Sequence, residues 1–338
     1  MKVLAEVTRG KSVESVHHGF LYIEDGRGNE VLSIGDSEFK TFFRSAAKPF
    51  QAIPFVLNGG IERFGFTGEE IALSCASHAG ERIHVSTAEN MLSKMGLKES
   101  DLKCGTHLPF DEKRANEMLI AGEKPSQLHN NCSGKHATML GQALMIDAET
   151  GGYLSPDHPV QQRNLEILGT FTDVPPNEIE VAIDGCSAPT YFLSMKAMAH
   201  SYVRLIAPPE SFAMELRQAC NTVTNSMISF PALVGGTKRL DTLLMEAAAE
   251  RSLISKIGAE GAWLCGIAPC ERWPDGLGIA LKIADGDDRR ARPVIAIELL
   301  KALGMIPQSS LGELSPAHVK TRLGQSVGEI RCAVEFKF

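Results

Sequence analysis

What constrains this chain most is the order of its hydrophobic patterns: both ends alternate as strands do, and the long middle has helical spacing. The first 40 residues read as strands, and "GFLYIED" and "EVLSIGD" flank the turn-rich "DGRGN", which predicts a β-hairpin. From about 67 to 250 the segments "TGEEIALSCASH", "DEKRANEMLIAG", "CSGKHATMLGQALMID", "SPDHPVQQRNLEILGTF" and "PPESFAMELRQACNTVTN" each follow a Thr, Asp, Ser or Pro start signal and predict helices. "EIEVAID" at 178–184 is the strand candidate among them, and "GCSAPTYFLSMKAMAH" after it reads as a turn and then a helix. "GAWLCGIAP" and "GLGIALKIADG", separated by "CERWPD", predict a second hairpin; "RPVIAIELLKALG" then predicts a helix with Pro293 near its start and Gly304 past its end. The expectation is an α+β fold over 1–338 as a single domain. Its antiparallel sheet comes from both chain termini (1–44 and 250–338), with a large helical insert, 45–249, between them.

Thirty-four Lys and Arg against 41 Asp and Glu leave a net charge of −7. That sign argues against nucleic acid or an anionic membrane surface as a partner. "MKVLAEVTRG" holds too short an apolar run for a signal peptide, and no stretch approaches the roughly 20 apolar residues of a membrane span. A cytoplasmic location is expected. There the eight cysteines (Cys75, Cys104, Cys132, Cys186, Cys220, Cys265, Cys270 and Cys332) should be thiols, most of them buried.

The first helical segment, "SAAKPFQAIPFVLNG", carries Ser45 and Lys48 three residues apart. On a helix that spacing puts both on one face, with the ammonium in reach of the hydroxyl. A serine hydroxyl is a poor nucleophile until a base takes its proton. Lysine serves as that base when burial or a second cation lowers its pKa. Pro49 is compatible with this helix only in its first turn. Taken alone, S-x-x-K is a weak signal and the pair reads as an ordinary polar pair at a helix start.

Other motifs give it company: "SCASHAGE" (74–81), "HNNCSGKHATML" (129–140), "DGCSAPT" (184–190) and "KIGAEG" (256–261). The sequence of hairpin, S-x-x-K, helical region, Lys256 strand, hairpin and helix resembles the serine β-lactamases, penicillin-binding proteins and serine glutaminases. Ile257 stands where those families have a hydroxyl residue, and Ser133-Gly134-Lys135 is only a rough analogue of their S-x-N element. With all four motifs in order, the chain more closely resembles the L-asparaginase II family, of the thermolabile or inducible type, nearly end to end. That resemblance implies a β-lactamase/glutaminase-like fold and a catalytic domain that hydrolyses L-asparagine to L-aspartate and ammonia through a Ser–Lys acyl-enzyme. It implies two pairs, Ser45 with Lys48 and Ser77 with Lys256, a zinc site of Cys132, Lys135 and Cys186, Asp184 close to the active centre, and a homodimer. The alternatives are a glutaminase or other small-amide hydrolase, and a non-catalytic zinc- or ligand-binding protein.

Several residues keep two readings. By spacing alone, Cys132 and Cys186 are buried thiols, although each adjoins a Gly or Ser where a turn can present a thiolate. A lysine ligand must first lose its proton. His78 fits either the orientation of a serine or a structural hydrogen bond; His136 either points toward the cysteine site or is structural, and His129, which clusters with them, reads as structural. Arg239, in "GGTKRLDT" with Asp241, fits substrate contact or a helix-capping turn. "GKHAT" is not a phosphate loop, because His129 stands where glycine is required. Cys265 and Cys270 read as structural. Backbone N–H groups at the start of the Ser45 helix are the expected oxyanion donors. Spacing does not decide which serine attacks; the helix start favours Ser45.

Overall fold

The structure, a computed structural model, describes residues 1–338 apart from the side chain of Arg251. The chain folds into two compact units, one of 1–41, 193–207 and 243–338, the other of 42–192 and 208–242.

The first unit is built on an eight-stranded sheet. Its strands are β1 (Lys2–Arg9), β2 (Ser12–Asp25), β3 (Glu30–Ile34) and, after the short strand β4 (Lys40–Phe42) and the hairpin β5–β6 described below, β7 (Leu253–Ile257), β8 (Ala262–Ile267), β9 (Leu277–Ile283), β10 (Ala317–Lys320) and β11 (Ser326–Cys332). The order is β10-β11-β1-β2-β9-β8-β7, with β3 also on β2. The fold is therefore α+β, and its sheet joins strands from both ends of the chain: β1 lies between β2 and β11, and β2 pairs antiparallel with β9, Gly19 opposite Ile283.

The expected hairpins are present. In "DGRGN" the Asp25 carboxylate accepts from the backbone N–H of Arg27 and Asn29, and Gly28 takes the left-handed φ of 81° that the turn needs. β8 and β9 form the second hairpin, Ile267 opposite Leu277. The Ala291–Ala302 helix has Pro293 in its first turn and Gly304 just beyond its end. β10 and β11, which short polar stretches do not announce, complete the sheet.

The segment after Asp184 departs from the expected turn and helix. Pro189–Ser194 is a strand, β6, paired with β5 (Glu180–Ile183), and the helix begins only at Met195. Thr190-Tyr191-Phe192 is the branched and aromatic run that favours a strand. Ser194 then caps the helix by accepting from the N–H of Ala197. The Met195–Ile206 helix packs on β2, β8 and β9, which is why 193–207 belongs to the sheet unit. Gly278 makes that approach possible, since a Cβ there would run into the Ala199 carbonyl.

The second unit is mainly helical, with β5–β6 its hairpin. The helices Lys48–Leu57, Gly68–Ser74, Arg82–Lys94, Ser133–Met145, Pro159–Thr172 and Met214–Ser229 surround a core that includes Phe43, Phe50, Phe55 and Phe171. Among the described residues no helix is long and apolar enough to cross a membrane. Among the described residues no disulfide joins any of the eight cysteines, and six of them are buried.

Candidate active site

Lys48 opens the Lys48–Leu57 helix, with Pro49 in the first turn, where its missing N–H costs nothing. Its ammonium is 1% exposed and lies 2.5 Å from the Ala76 carbonyl, 3.0 Å from Ser77 Oγ and 3.2 Å from the Asn131 carbonyl. Helix packing brings these partners together. The Gly68–Ser74 helix, started by the Thr67/Glu70 capping box, ends just before Ser77. The Ser133–Met145 helix starts just after Asn131 and crosses the first closely, because Gly134 has no Cβ to meet the Leu73 carbonyl. Thr138 Oγ1 donates to Ser74 Oγ at 2.6 Å across this crossing. Three contacts match the three donors of an ammonium. They equally suit a neutral amine, whose two N–H groups would face the carbonyls while its lone pair faces the Ser77 hydroxyl.

Ser45 lies not in that helix but in the 3-10 turn Arg44–Ala47 before it. It is half-buried, and its hydroxyl makes no hydrogen bond with a described residue. Arg44 ahead of it has φ 51°, the left-handed region that a non-glycine residue occupies only when held there. The holding contacts are present: Arg44 N–H donates to Thr190 Oγ1, and Arg44 Nε donates to Asp184 Oδ1 at 2.8 Å. The Ala46 N–H is also engaged, on the Phe43 carbonyl, so of the expected oxyanion donors in this turn Arg44 and Ala46 are occupied and the N–H of Ser45 itself remains.

Cys132 caps the Ser133–Met145 helix, and Lys135 follows one turn on; Cys186 comes from the loop of the β5–β6 hairpin. Lys135 Nζ donates to Cys186 Sγ at 3.0 Å, and both cysteines are 4% exposed. Hydrogen bonding from the Cys132 thiol, with the charge of Lys135 beyond it, holds the Cys186 thiol far below its usual range despite burial. The bond to Cys186 and burial raise Cys132 well above its own. Burial opposes the charge of Lys135, but Cys186, Cys132 and Asp184 together outweigh it and raise its pKa.

Residues 5–332 match the family model of L-asparaginase II. The chain belongs to the L-asparaginase II family. It is accordingly an amidohydrolase. Among solved structures it is similar to a probable glutaminase from Bacillus subtilis complexed with 6-diazo-5-oxo-L-norleucine, at 10% identity and TM-score 0.43 over 86% of this chain and 85% of that one. It is also similar to a carbapenemase from Vibrio cholerae, at 13% identity and TM-score 0.38 over 84% and 94%. No curated protein matches.

Of the residues that the L-asparaginase II resemblance implies, the helical unit brings together Lys48 with Ser77, Lys135 with Cys186 and Cys132, and Asp184 with Arg44. Ser45 adjoins Arg44 and its carbonyl accepts the Lys48 backbone N–H, but its hydroxyl does not bond the Lys48 side chain. Lys256 belongs to the sheet unit, fully buried on β7, with its ammonium 3.0 Å from the Ile257 carbonyl. His78 is engaged at both nitrogens, Nδ1 accepting from Gly80 N–H and Nε2 meeting Ser133 Oγ at 2.9 Å. Burial, with nearby His84 and Lys48, pushes its pKa well below the usual range, so it is neutral. Arg239 lies over the Phe110 ring at 5.6 Å. Arg44 was not among the sequence candidates, and only its position beside Ser45 pointed to it.

The cysteine cluster also bears on zinc. Among the described residues no three His, Cys, Asp or Glu side chains converge as metal ligands. A metal here depends on Lys135. Two sulfurs and an amine nitrogen, buried and already in contact, are donors that zinc accepts, with a fourth position left over.

Proposed function

We propose that this amidohydrolase is an L-asparaginase acting through a serine ester, with Ser45 as nucleophile and Lys48 as the group that moves the proton. The observation that carries this reading is the buried Lys48 nitrogen held 3.0 Å from Ser77 Oγ, one turn after a serine whose hydroxyl bonds none of the described residues. Ser45 follows a residue fixed in the left-handed region, a sharp turn of the kind that exposes nucleophilic serines. Its own N–H is available to the oxyanion.

In the first half-reaction neutral Lys48 takes the Ser45 proton as Oγ attacks the side-chain amide carbon. When the tetrahedral intermediate collapses, the C–N bond breaks, and Lys48 returns the proton to the departing nitrogen through the Ser77 hydroxyl, releasing ammonia. A water molecule then adds to the ester with Lys48 again as base. The Ser45 C–O bond breaks, the hydroxyl regains its proton and aspartate leaves. General base catalysis of this kind contributes about 10²- to 10⁴-fold.

Zinc, held by Cys132, Lys135 and Cys186, is the second element of the proposal; bound there it supplies a Lewis acid that positions substrate. Lys135 would give up its proton to ligate. The steps above belong to the serines and Lys48.

Ammonia release from asparagine and glutamine, by wild type and by Ser45→Ala and Ser77→Ala, tests the reading. Asparagine should be preferred, although one methylene is worth only about 1–3 kcal/mol. A glutamine preference would make the chain a glutaminase. A second reading, attack by Ser77, is favoured by that serine's direct bond to Lys48. Labelling with a diazo-ketone analogue of asparagine and peptide mapping separates the two. An adduct on Ser45 supports the first, and one on Ser77 reverses the assignment.

A further inference from the structure

The Asn131 carbonyl is one of the three groups around Lys48 Nζ, and its direction depends on the two peptide planes that meet at Asn131. Neither plane lies inside a helix: Asn130 ends the 3-10 turn Gln127–His129, and Cys132 caps the helix that follows. The plane after Asn131 is held by its own segment, the Cys132 N–H donating to Asn130 Oδ1 at 2.9 Å. The plane before it is held on the carbonyl side by the Ser133 N–H. On its N–H side the holder comes from elsewhere: His107 Nε2 accepts the Asn131 N–H at 3.0 Å.

His107 has no part in the chemistry above, yet its ring is held at both nitrogens and on one face. With the lone pair on Nε2, Nδ1 carries the hydrogen and donates to the Leu108 carbonyl at 2.7 Å. The ring stacks on Phe110, centroids 4.7 Å apart and planes 18° from parallel. Since the backbone occupies Nε2, the Asn131 side-chain oxygen at 3.3 Å is a neighbour and not a partner. The loop that carries His107 is tied at both ends. Asn130 Nδ2 donates to the carbonyls of Cys104 and Gly105, and Gln127 Oε1 accepts the Gly105 N–H. At the far end the Asp111 N–H donates to the Ala79 carbonyl. Gly80 lets Pro109 come close there, since a Cβ on Gly80 would stand 3.1 Å from it. The loop thus joins the segment after Ser77 to the turn before Cys132, the two stretches that supply the Lys48 contacts.

We propose that His107 is a positioning residue for Lys48: it holds the Asn131 backbone so that the Asn131 carbonyl meets Nζ and keeps the lysine nitrogen facing the Ser77 hydroxyl. The inference rests on Lys48 as the proton carrier. Without the imidazole the Asn131 N–H loses its acceptor, the plane before Asn131 is free to turn, and the carbonyl beyond it leaves Nζ. Lys48 then keeps the Ala76 carbonyl and Ser77 but loses the third point that fixes its direction. Among the described residues His107 bonds neither Lys48 nor either serine, so its effect falls on how the proton moves and therefore on kcat.

The test has two arms. In ¹⁵N-labelled protein an N–H···N hydrogen bond transmits a scalar coupling, here between the Asn131 amide nitrogen and His107 Nε2. The imidazole signals are assigned by their loss in His107→Gln. The coupling is expected in wild type, and its absence from sharp, assigned signals overturns the proposal. The second arm measures ammonia release from whichever of asparagine and glutamine wild type prefers, beside thermal unfolding of the same preparations. His107→Ala should lower kcat about 10- to 100-fold, the cost of displacing a reacting group by about 1 Å, and leave KM within about twofold. His107→Gln, whose side-chain oxygen can accept the Asn131 N–H, should recover most of that loss. A raised KM with unchanged kcat, equal losses in the two variants, or unchanged kinetics in His107→Ala each overturns the proposal. Lys48→Met separates the two readings. If it lowers kcat and His107→Ala does not, this inference alone fails; if it leaves kcat unchanged, the reading of Lys48 fails and this inference falls with it.

Discussion

Replacing Lys48 with methionine keeps much of the buried volume and removes the group that, among the described residues, meets Ser77 Oγ. Three acceptors lose their donor: the carbonyls of Ala76 and Asn131 and the Ser77 hydroxyl. Each unsatisfied buried polar atom costs about 1–3 kcal/mol, although the serine hydroxyl can rotate to another acceptor and water can reach the less enclosed Asn131. Removal of an ammonium from a site that excludes water returns part of its desolvation penalty. The two effects oppose, so a net loss of about 2 kcal/mol is expected, small enough to leave the protein folded. Catalysis should suffer far more. Loss of both proton acceptance from Ser45 and delivery through Ser77 should lower kcat by about 10³-fold or more. Ammonia release under saturating asparagine, beside thermal unfolding of the same preparation, measures both quantities. A folded Lys48→Met variant with a tenth or more of wild-type kcat would refute the assignment of Lys48 as the proton carrier.

Three further outcomes are expected. Burial depresses His78 and His84 below their ordinary 6.5, so the unfolded chain takes up these protons first. Stability is complete above about pH 6.5 and falls as pH drops, by up to about 1.4 kcal/mol per pH unit for each histidine. Denaturant titrations at pH 7.5 and 5.5 should show it, with a shallower dependence in His78→Gln; a stability independent of pH would contradict the burial argument. Asp184→Asn removes the carboxylate that holds Arg44 beside Ser45, and should cost about 1–3 kcal/mol and lower kcat, both read from one preparation. Gly278→Ala forces a methyl against the Ala199 carbonyl; a loss of about 1–3 kcal/mol is expected by chemical denaturation, and no loss would mean that the helix moves away freely.

Much of the fold was legible because local chemistry and tertiary structure agree. The Asp25 turn, Pro49 in a first turn and Pro293 and Gly304 around the last helix each act through nearby backbone. β6 was not, since "SAPTYFLS" becomes a strand through its pairing with Glu180–Ile183, a partner that no local pattern names. β10 has only four residues, too few for the alternation of Ala317 and Val319 with His318 and Lys320 to stand out, and Gly328 interrupts the pattern of β11. At the site, the residue types were visible in the motifs and their pairing was not. The bond from Lys48 to Ser77 arises from two helices crossing at Gly134, and the Arg44–Asp184 pair from a hairpin loop 140 residues away in sequence. The contact that His136 makes at Nδ1 is with Tyr153, which belongs to none of the motifs.

The sheet order carries a consequence for how the chain is made. β2 sits at the middle of the sheet, yet its neighbour β9 is synthesised about 250 residues later, and β1 must wait still longer for β11. At ordinary ribosomal speeds of about 5–20 residues per second, the β1–β2 hairpin spends ten seconds or more with its edges open while the helical insert emerges. Such open edges recruit other strands. The helical unit, made in between, has no comparable wait for most of its contacts. Expression temperature and elongation rate should therefore govern the yield of folded protein through the sheet unit, before any residue of the candidate site comes into play.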